Sequence, residues 1–203
     1  MNSHAGTSSG SRNRHSPRGR VPLIPREILQ LDAALIRAFR TIQELREELP
    51  AARHIKFPPL PSIFSESIVI AAAPRIFGPG WTARYGGAAC DVLIESDQGE
   101  ERRVEVKATG VHAFQELKAK DLRADFLVWV RFGRRFESGQ GPIEIAILSN
   151  PSQFIPAACR LDTARFERRV GSTDALRTLS FDSLEALLHD PESSPILGES
   201  AID

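Results

Sequence analysis

Residues 89–95 and 102–108 each alternate apolar and polar side chains, and the turn signal Asp97-Gln98-Gly99 stands between them. A period of two over so short a run marks a half-buried strand, because successive side chains of an extended chain leave opposite faces of the pleat. The two runs therefore read as an antiparallel hairpin with one wall toward a core. Cys90, Val92 and Ile94 supply that wall from the first strand, and Val104, Val106 and Ala108 from the second. The opposite wall carries Asp91, Leu93 and Glu95 beside Arg103, Glu105 and Lys107.

Register decides whether the polar residues form a group. Residues facing each other across an antiparallel pair share a face, so Asp91 joins Glu105 and Lys107 only if the connecting loop has an odd number of residues. A three-residue loop is expected, either 97–99 or 98–100; the first sets Asp91 opposite Glu105 and the second sets it opposite Lys107. Glu105 and Lys107 stand roughly 6.5 to 7 Å apart along their strand, and the neighbouring strand is about 4.8 Å away.

Two carboxylates at that separation raise each other's pKa unless a cation sits between them. Magnesium takes hard oxygen ligands, keeps several waters and is usually held by one or two carboxylates plus phosphate oxygens, so it is the natural occupant. A nearby lysine can stabilise charge developing on phosphorus or orient the attacking water. Such a site suits phosphodiester hydrolysis. The bland alternative is a solvated strand face with cross-strand ion pairs. The context is more specific than the triplet: the small residues Ala108-Thr109-Gly110 follow Lys107, then a helix expected over 114–123 and an apolar strand over 126–132. Lysine is also scarce, confined to positions 56, 107, 118 and 120.

Asp91 followed, on the next strand, by Glu105-Val106-Lys107 resembles the PD-(D/E)xK motif of restriction-endonuclease-like nucleases. The resemblance covers residues 62–148 in order as well as in motif. It implies a restriction-endonuclease-like α/β core, with a central mixed sheet of four to five strands flanked by helices. It further implies that Asp91 and Glu105 bind the metal, one or two Mg2+ per site, with help from the Val106 carbonyl. Lys107 would position or activate the nucleophilic water, and the products would carry a 5′-phosphate and a 3′-hydroxyl. Glu66, on the helix expected before the hairpin, matches an extra acidic residue that many members carry. Its other reading is a first-turn acid stabilised by the helix macrodipole by about 0.3 to 1 kcal/mol. Two departures stand out: Cys90 precedes Asp91 where the name has proline, and Gln115 is followed four residues later by Ala119 rather than by tyrosine. The second favours a restriction-like or stand-alone member over the RecB-like branch.

Around this core the chain falls into four stretches. Residues 1–24 read as a disordered basic arm: 1–20 lack the apolar groups that repay ordering, and Arg12, Arg14, Arg18 and Arg20 could trail along a phosphate backbone or simply be solvated. Residues 25–61 read as an amphipathic helix and a connector. Ile28, Leu31, Leu35, Ala38, Ile42, Leu45 and Leu49 form one stripe, either packed on the chain's own domain or forming a dimer seam. Prolines 50, 58, 59 and 61 mark the extended connector. The nuclease core spans 62–150, opening with a helix capped by Ser62 and ended by Pro74, then a turn-rich loop over 78–87. A strand is expected over 143–148. Residues 151–203 extend the same domain, with Arg160, Arg165, Arg168 and Arg169 gathered in one segment and a last helix over 183–189. This segment is a candidate for reading DNA bases or for capping the fold.

Arg84 and Tyr85, beside Gly86-Gly87, could meet a phosphate or a base, or serve turn chemistry alone. Lys118 and Lys120, with His112 and Arg123 nearby, could line a phosphate backbone or form the wet face of a helix. His112 has no second histidine at ligand spacing, and Cys90 and Cys159 make no zinc pattern. Trp81 and Trp129 read as packing aromatics.

With 203 residues and 41% hydrophobic content, the chain suits one substantial core. Its net charge of zero makes any nucleic-acid surface a local one. Two cysteines in a chain needing no staples fit a reducing, cytoplasmic setting as buried free thiols, and no run approaches the roughly 20 apolar residues of a membrane helix. The leading expectation is a type II restriction-like endonuclease acting on double-stranded DNA as a homodimer. A structure-selective or repair nuclease, or a non-catalytic DNA-binding or assembly protein, are the alternatives.

Overall fold

The chain is described from a computed structural model that covers residues 20–110, 115–171, 173–189 and 196–197. The basic arm over 1–19, His112 and Phe114 lie outside the described residues. Helix α1 (Pro25–Glu48) matches the expected stripe, with Pro25 in its first turn and the Ile24 N–H donating to Glu27 Oε2 at 3.0 Å. A 3-10 turn over Pro50–His54 occupies the start of the connector.

Next come α2 (Ser62–Ala71) and α3 (Ala73–Phe77). Ser62 is the first residue of α2 rather than its cap, and Pro61 holds the cap position. Pro74 does not end a helix but opens α3, where a first-turn proline forfeits no hydrogen bond. The expected loop over 78–87 contains a strand, β1 (Trp81–Tyr85). Its Thr82 and Arg84 are exposed while Trp81, Ala83 and Tyr85 are half-buried, a period of two that the flanking glycines disguise.

The hairpin follows as β2 (Val92–Ser96) and β3 (Glu101–Thr109). The helix expected over 114–123 does not form. In its place Gln115–Leu117 make β4, and Asp121–Arg123 make one 3-10 turn. Asp121 Oδ2 accepts the Lys118 N–H at 2.9 Å, a local closure that competes with helix propagation. Then come β5 (Phe126–Arg131), α4 (Arg135–Ser138), β6 (Ile143–Ser149), β7 (Cys159–Leu161), α5 (Thr163–Val170), β8 (Leu176–Phe181), α6 (Leu184–His189) and β9 (Ile196–Leu197).

The architecture is α/β, with a mixed central sheet flanked by helices. Six full strands and the two-residue β9 run in the order β1-β2-β3-β5-β6-β8-β9. The sheet is wider than the four to five strands expected, because β1 and β8 both join it. β3 and β5 are parallel and the other neighbours antiparallel. A separate ribbon pairs β4 with β7.

Both faces of the sheet are covered. On one, Ile28 and Leu35 of α1, Phe64 and Ile68 of α2, and Leu184 and Leu187 of α6 pack over Val92, Ile94, Val104, Val106, Val128 and Val130. On the other, Leu117 of β4, Leu161 of β7 and Phe166 and Val170 of α5 pack over Leu127, Trp129, Ala146 and Leu148. Cys90, Val92 and Ile94 are buried as the alternation requires. The first half of the α1 stripe lies on this core, whereas Leu45 and Leu49 are 36% and 52% exposed. Asp32, on the same helix, is buried against Arg135, whose Nε and Nη2 reach Oδ1 and Oδ2 at 3.1 and 2.6 Å. No helix among the described residues is long and apolar enough to cross a membrane.

Candidate active site

The β2–β3 ladder pairs Val92 with Val104 and Glu95 with Glu101, and the Ser96 N–H donates to the Glu100 carbonyl at 3.0 Å. The loop is therefore Asp97-Gln98-Gly99, three residues long, with Gly99 at φ +78 supplying the left-handed position such a loop requires. The ladder ends at Val92, so β2 is shorter than the strand expected over 89–95 and Asp91 stands in the bend just before it. Asp91 Oδ2 accepts the Val106 N–H at 3.0 Å, which ties the carboxylate to the middle of β3.

Glu105 and Lys107 leave β3 on the face shared with Leu127 and Trp129, their partners on β5. That face is roofed by the second core, so Glu105 is only 2% exposed and Lys107 is largely covered. Burial pushes the Glu105 carboxyl up to about 7, with its hydrogen bond to Asp121 and the charge of Asp91 adding to the effect. Asp121 is buried too, but its hydrogen bonds with Glu105 and Lys107 outweigh that cost and hold it below the usual carboxylate range. Of the two acids, Glu105 is therefore the one that takes up a proton more readily and Asp121 the one that stays ionised to lower pH. Lys107 Nζ lies 2.8 Å from Asp121 Oδ2 and 3.7 Å from Glu105 Oε1, and Lys120 Nζ lies 3.3 Å from the same Glu105 oxygen. That carboxylate raises the Lys120 pKa.

These groups line one cleft of about 810 Å³, whose other walls include Glu66, Phe57, Pro58 and Phe136. Glu66 is buried and sits beyond the first turn of α2, so the macrodipole account of it does not hold. Burial raises its pKa, partly offset by Arg20, whose Nη1 lies 2.8 Å from Oε2. Lys118 and Lys120 both reach the cleft wall. Arg84 and Tyr85 do not. Arg84 is an exposed β1 residue paired with Glu101 at 2.7 Å, and the Tyr85 hydroxyl is 3.1 Å from Ser67 Oγ with Arg20 over its ring. The strand that replaces the expected loop carries both away from the acids.

Sequence reasoning missed Asp121, and it gave Arg20 to a basic arm rather than to its pairing with Glu66. Asp121 was hidden inside the expected helix; the only signal was the spacing Lys118-x-x-Asp121, which suits a side-chain-capped turn as well as a helix.

Among the described residues no group of three or more His, Cys, Asp or Glu is arranged to hold a metal ion. The donor chemistry nevertheless fits a hard divalent cation held by one or two carboxylates, as magnesium commonly is. Asp121 Oδ1 is buried without an N–H donor in hydrogen-bond range, and a cation beside it would favour the charged form of the Glu105 carboxyl that burial raises. No protein-family model matches this sequence, and no curated protein matches it.

Proposed function

We propose that the chain is a magnesium-dependent endonuclease of double-stranded DNA, a type II restriction-like enzyme of the PD-(D/E)xK kind. The observation that carries this reading is the meeting of Asp91, Glu105 and Lys107 in one cleft, with Asp91 bonded to the Val106 N–H across the hairpin. A mixed sheet with the motif on a hairpin and a parallel strand beside it supports the restriction-endonuclease-like assignment.

Asp91 and Glu105 would hold one or two magnesium ions with the Val106 carbonyl. When bound, magnesium supplies electrostatic polarisation of the scissile phosphate. Lys107, steadied by Asp121, orients the attacking water and offsets charge building on the phosphate oxygens. The water oxygen bonds to phosphorus as it gives up a proton to solvent, the P–O3′ bond breaks, and the 3′ oxygen takes a proton from solvent, leaving a 5′-phosphate and a 3′-hydroxyl. Lys118 and Lys120 receive neighbouring phosphates at the cleft wall. Cutting both strands calls for two such sites, hence a homodimer, and the exposed Leu45 and Leu49 offer its seam. Sedimentation of the wild type and of Leu45→Glu/Leu49→Glu tests that part: a dimer that becomes a monomer supports it, and a monomeric wild type removes it.

The test of the activity is magnesium-dependent cleavage of mixed-sequence plasmid and phage DNA by wild type and Lys107→Ala, with EDTA as control. Discrete fragments lost in the variant support the enzyme. A second reading, a non-catalytic DNA-binding or assembly protein, is favoured by one observation. Arg20 pairs with Glu66, Lys120 with Glu105 and Lys107 with Asp121, so each of these acids has an internal cation. Absence of cutting across varied and branched DNA, together with no magnesium uptake by calorimetry, selects that reading.

A further inference from the structure

Helix α5 carries Arg165, Arg168 and Arg169 at i, i+3 and i+4, so the three share one exposed face while Phe166 and Val170 are buried on the other. Arg160 on β7 joins them, and the four arginines line a shallow groove between β7 and α5. Part of this charge is balanced locally, where Asp162 meets Arg165 and Glu116 stands opposite Arg160, and the exposed Arg168 and Arg169 carry the surplus. Glu167, the one acid of α5, turns to Arg131 Nη1 at 2.6 Å. Asp162 caps the helix through the Arg165 N–H at 2.7 Å and lies 3.8 Å from the Arg165 Nε. Arg169 Nη1 approaches the Cys159 sulfur at 3.9 Å. In a chain of zero net charge this concentration of guanidinium groups is local, and its self-repulsion is relieved by an anionic partner.

The groove is joined to the candidate active site through the β4–β7 ribbon. Across the β4–β7 ladder Arg160 faces Glu116, and Leu117 faces Cys159. Directly after Leu117 the chain turns through Lys118 and Lys120 into the cleft wall. One strand of the ribbon thus leads into the lysines of the cleft wall and the other carries Arg160 to the groove. Planar, always-charged guanidinium forks match the paired oxygens of a phosphate.

We infer that the β7–α5 groove is a second docking station for the phosphate backbone of the DNA duplex whose scissile phosphate enters the cleft. The identity of that duplex rests on the nuclease reading; the charge of the groove does not.

The experiment uses the full chain, with Arg168→Glu/Arg169→Glu and Arg168→Gln/Arg169→Gln as variants and a fluorescent mixed-sequence duplex as probe. Binding is measured by anisotropy in EDTA and in calcium across a sodium chloride series, and plasmid nicking is measured in magnesium. The charge reversal is expected to weaken binding by about tenfold or more and to lower the steepness of log K against log salt by about 2, one phosphate contact per arginine. The glutamine pair falls between it and wild type, and it carries the test if the reversed pair does not fold. Unchanged affinity and salt slope in both variants, with a wild type that binds and nicks, overturn the groove and leave the nuclease standing. Arginine-dependent binding without nicking under any metal keeps the groove and removes the catalytic reading. A wild type that binds no duplex overturns both.

Discussion

Lys107 Nζ stands 2.8 Å from Asp121 Oδ2, on a turn that folds the chain after β4 back against β3. The contact joins the one lysine of the hairpin to a fully buried acid, so the position of the ammonium depends on a residue outside the motif.

Replacing Asp121 with Ala leaves Lys107 and Glu105 without their common partner. Breaking a buried pair by deleting one member costs about 3 kcal/mol, which urea unfolding will read as a lower midpoint at unchanged slope. On the proposed nuclease reading, cleavage by the variant should fall about 100-fold in kcat with KM little altered, because the lysine assigned to the attacking water would be displaced. An unchanged kcat would mean that Asp121 serves stability alone.

The Glu105 carboxyl, raised from 4.5 to about 7, keeps a proton in the folded state that the unfolded chain releases. Its contribution to stability is complete below the unfolded pKa and is lost as pH rises through the folded one. Asp121, held low, has the opposite sign and loses its contribution only as pH falls through its own depressed pKa. In EDTA, wild-type stability should therefore decline between about pH 5 and about pH 8, and Glu105→Gln should lack that component of the slope. Thermal melts of both proteins across this range check it; parallel profiles would place the proton elsewhere.

Lys120 is 65% exposed and lies 3.3 Å from Glu105 Oε1, where it competes with any other cation for that oxygen. Lys120→Met should tighten magnesium binding, by at most about fivefold given the modest strength of an exposed pair. Calorimetric titration measures it. Weaker magnesium binding in the variant would show that the lysine supports the metal site rather than opposing it.

Asp32 and Arg135 form a buried bidentate pair between α1 and α4. Asp32→Ala should cost about 3 to 5 kcal/mol in urea unfolding, and Asp32→Leu/Arg135→Met should recover much of it. A cost below about 1 kcal/mol for the single variant would mean that the pair is not maintained in solution.

What was legible in the sequence is what depends on near neighbours along the chain. The hairpin, its three-residue loop and the sharing of a face by Asp91 and Glu105 follow from alternation and from one turn. The helix over 25–49 and the strands over 126–132 and 143–148 follow from their own periods. β1 carried its period of two in five residues, too short to stand out between glycines. β4 lies where the local pattern reads as a helix, and the residues that make it a strand, Cys159 to Leu161, lie far along the chain.

The α1 stripe shows the same division. Its spacing determined that Ile28, Leu35, Leu45 and Leu49 share a side, but only the extent of the core decided that the first two are covered and the last two are not. In the candidate site, local pattern placed Glu105 and Lys107 side by side, on what read as a polar wall. The ribbon and α5, packed over that wall, turned Glu105 into a buried acid and brought Asp121 to it. Periodicity along a chain sets which side chains can share a face. Their burial, their protonation and their charge partners depend on what packs against that face, and those segments are distant in sequence.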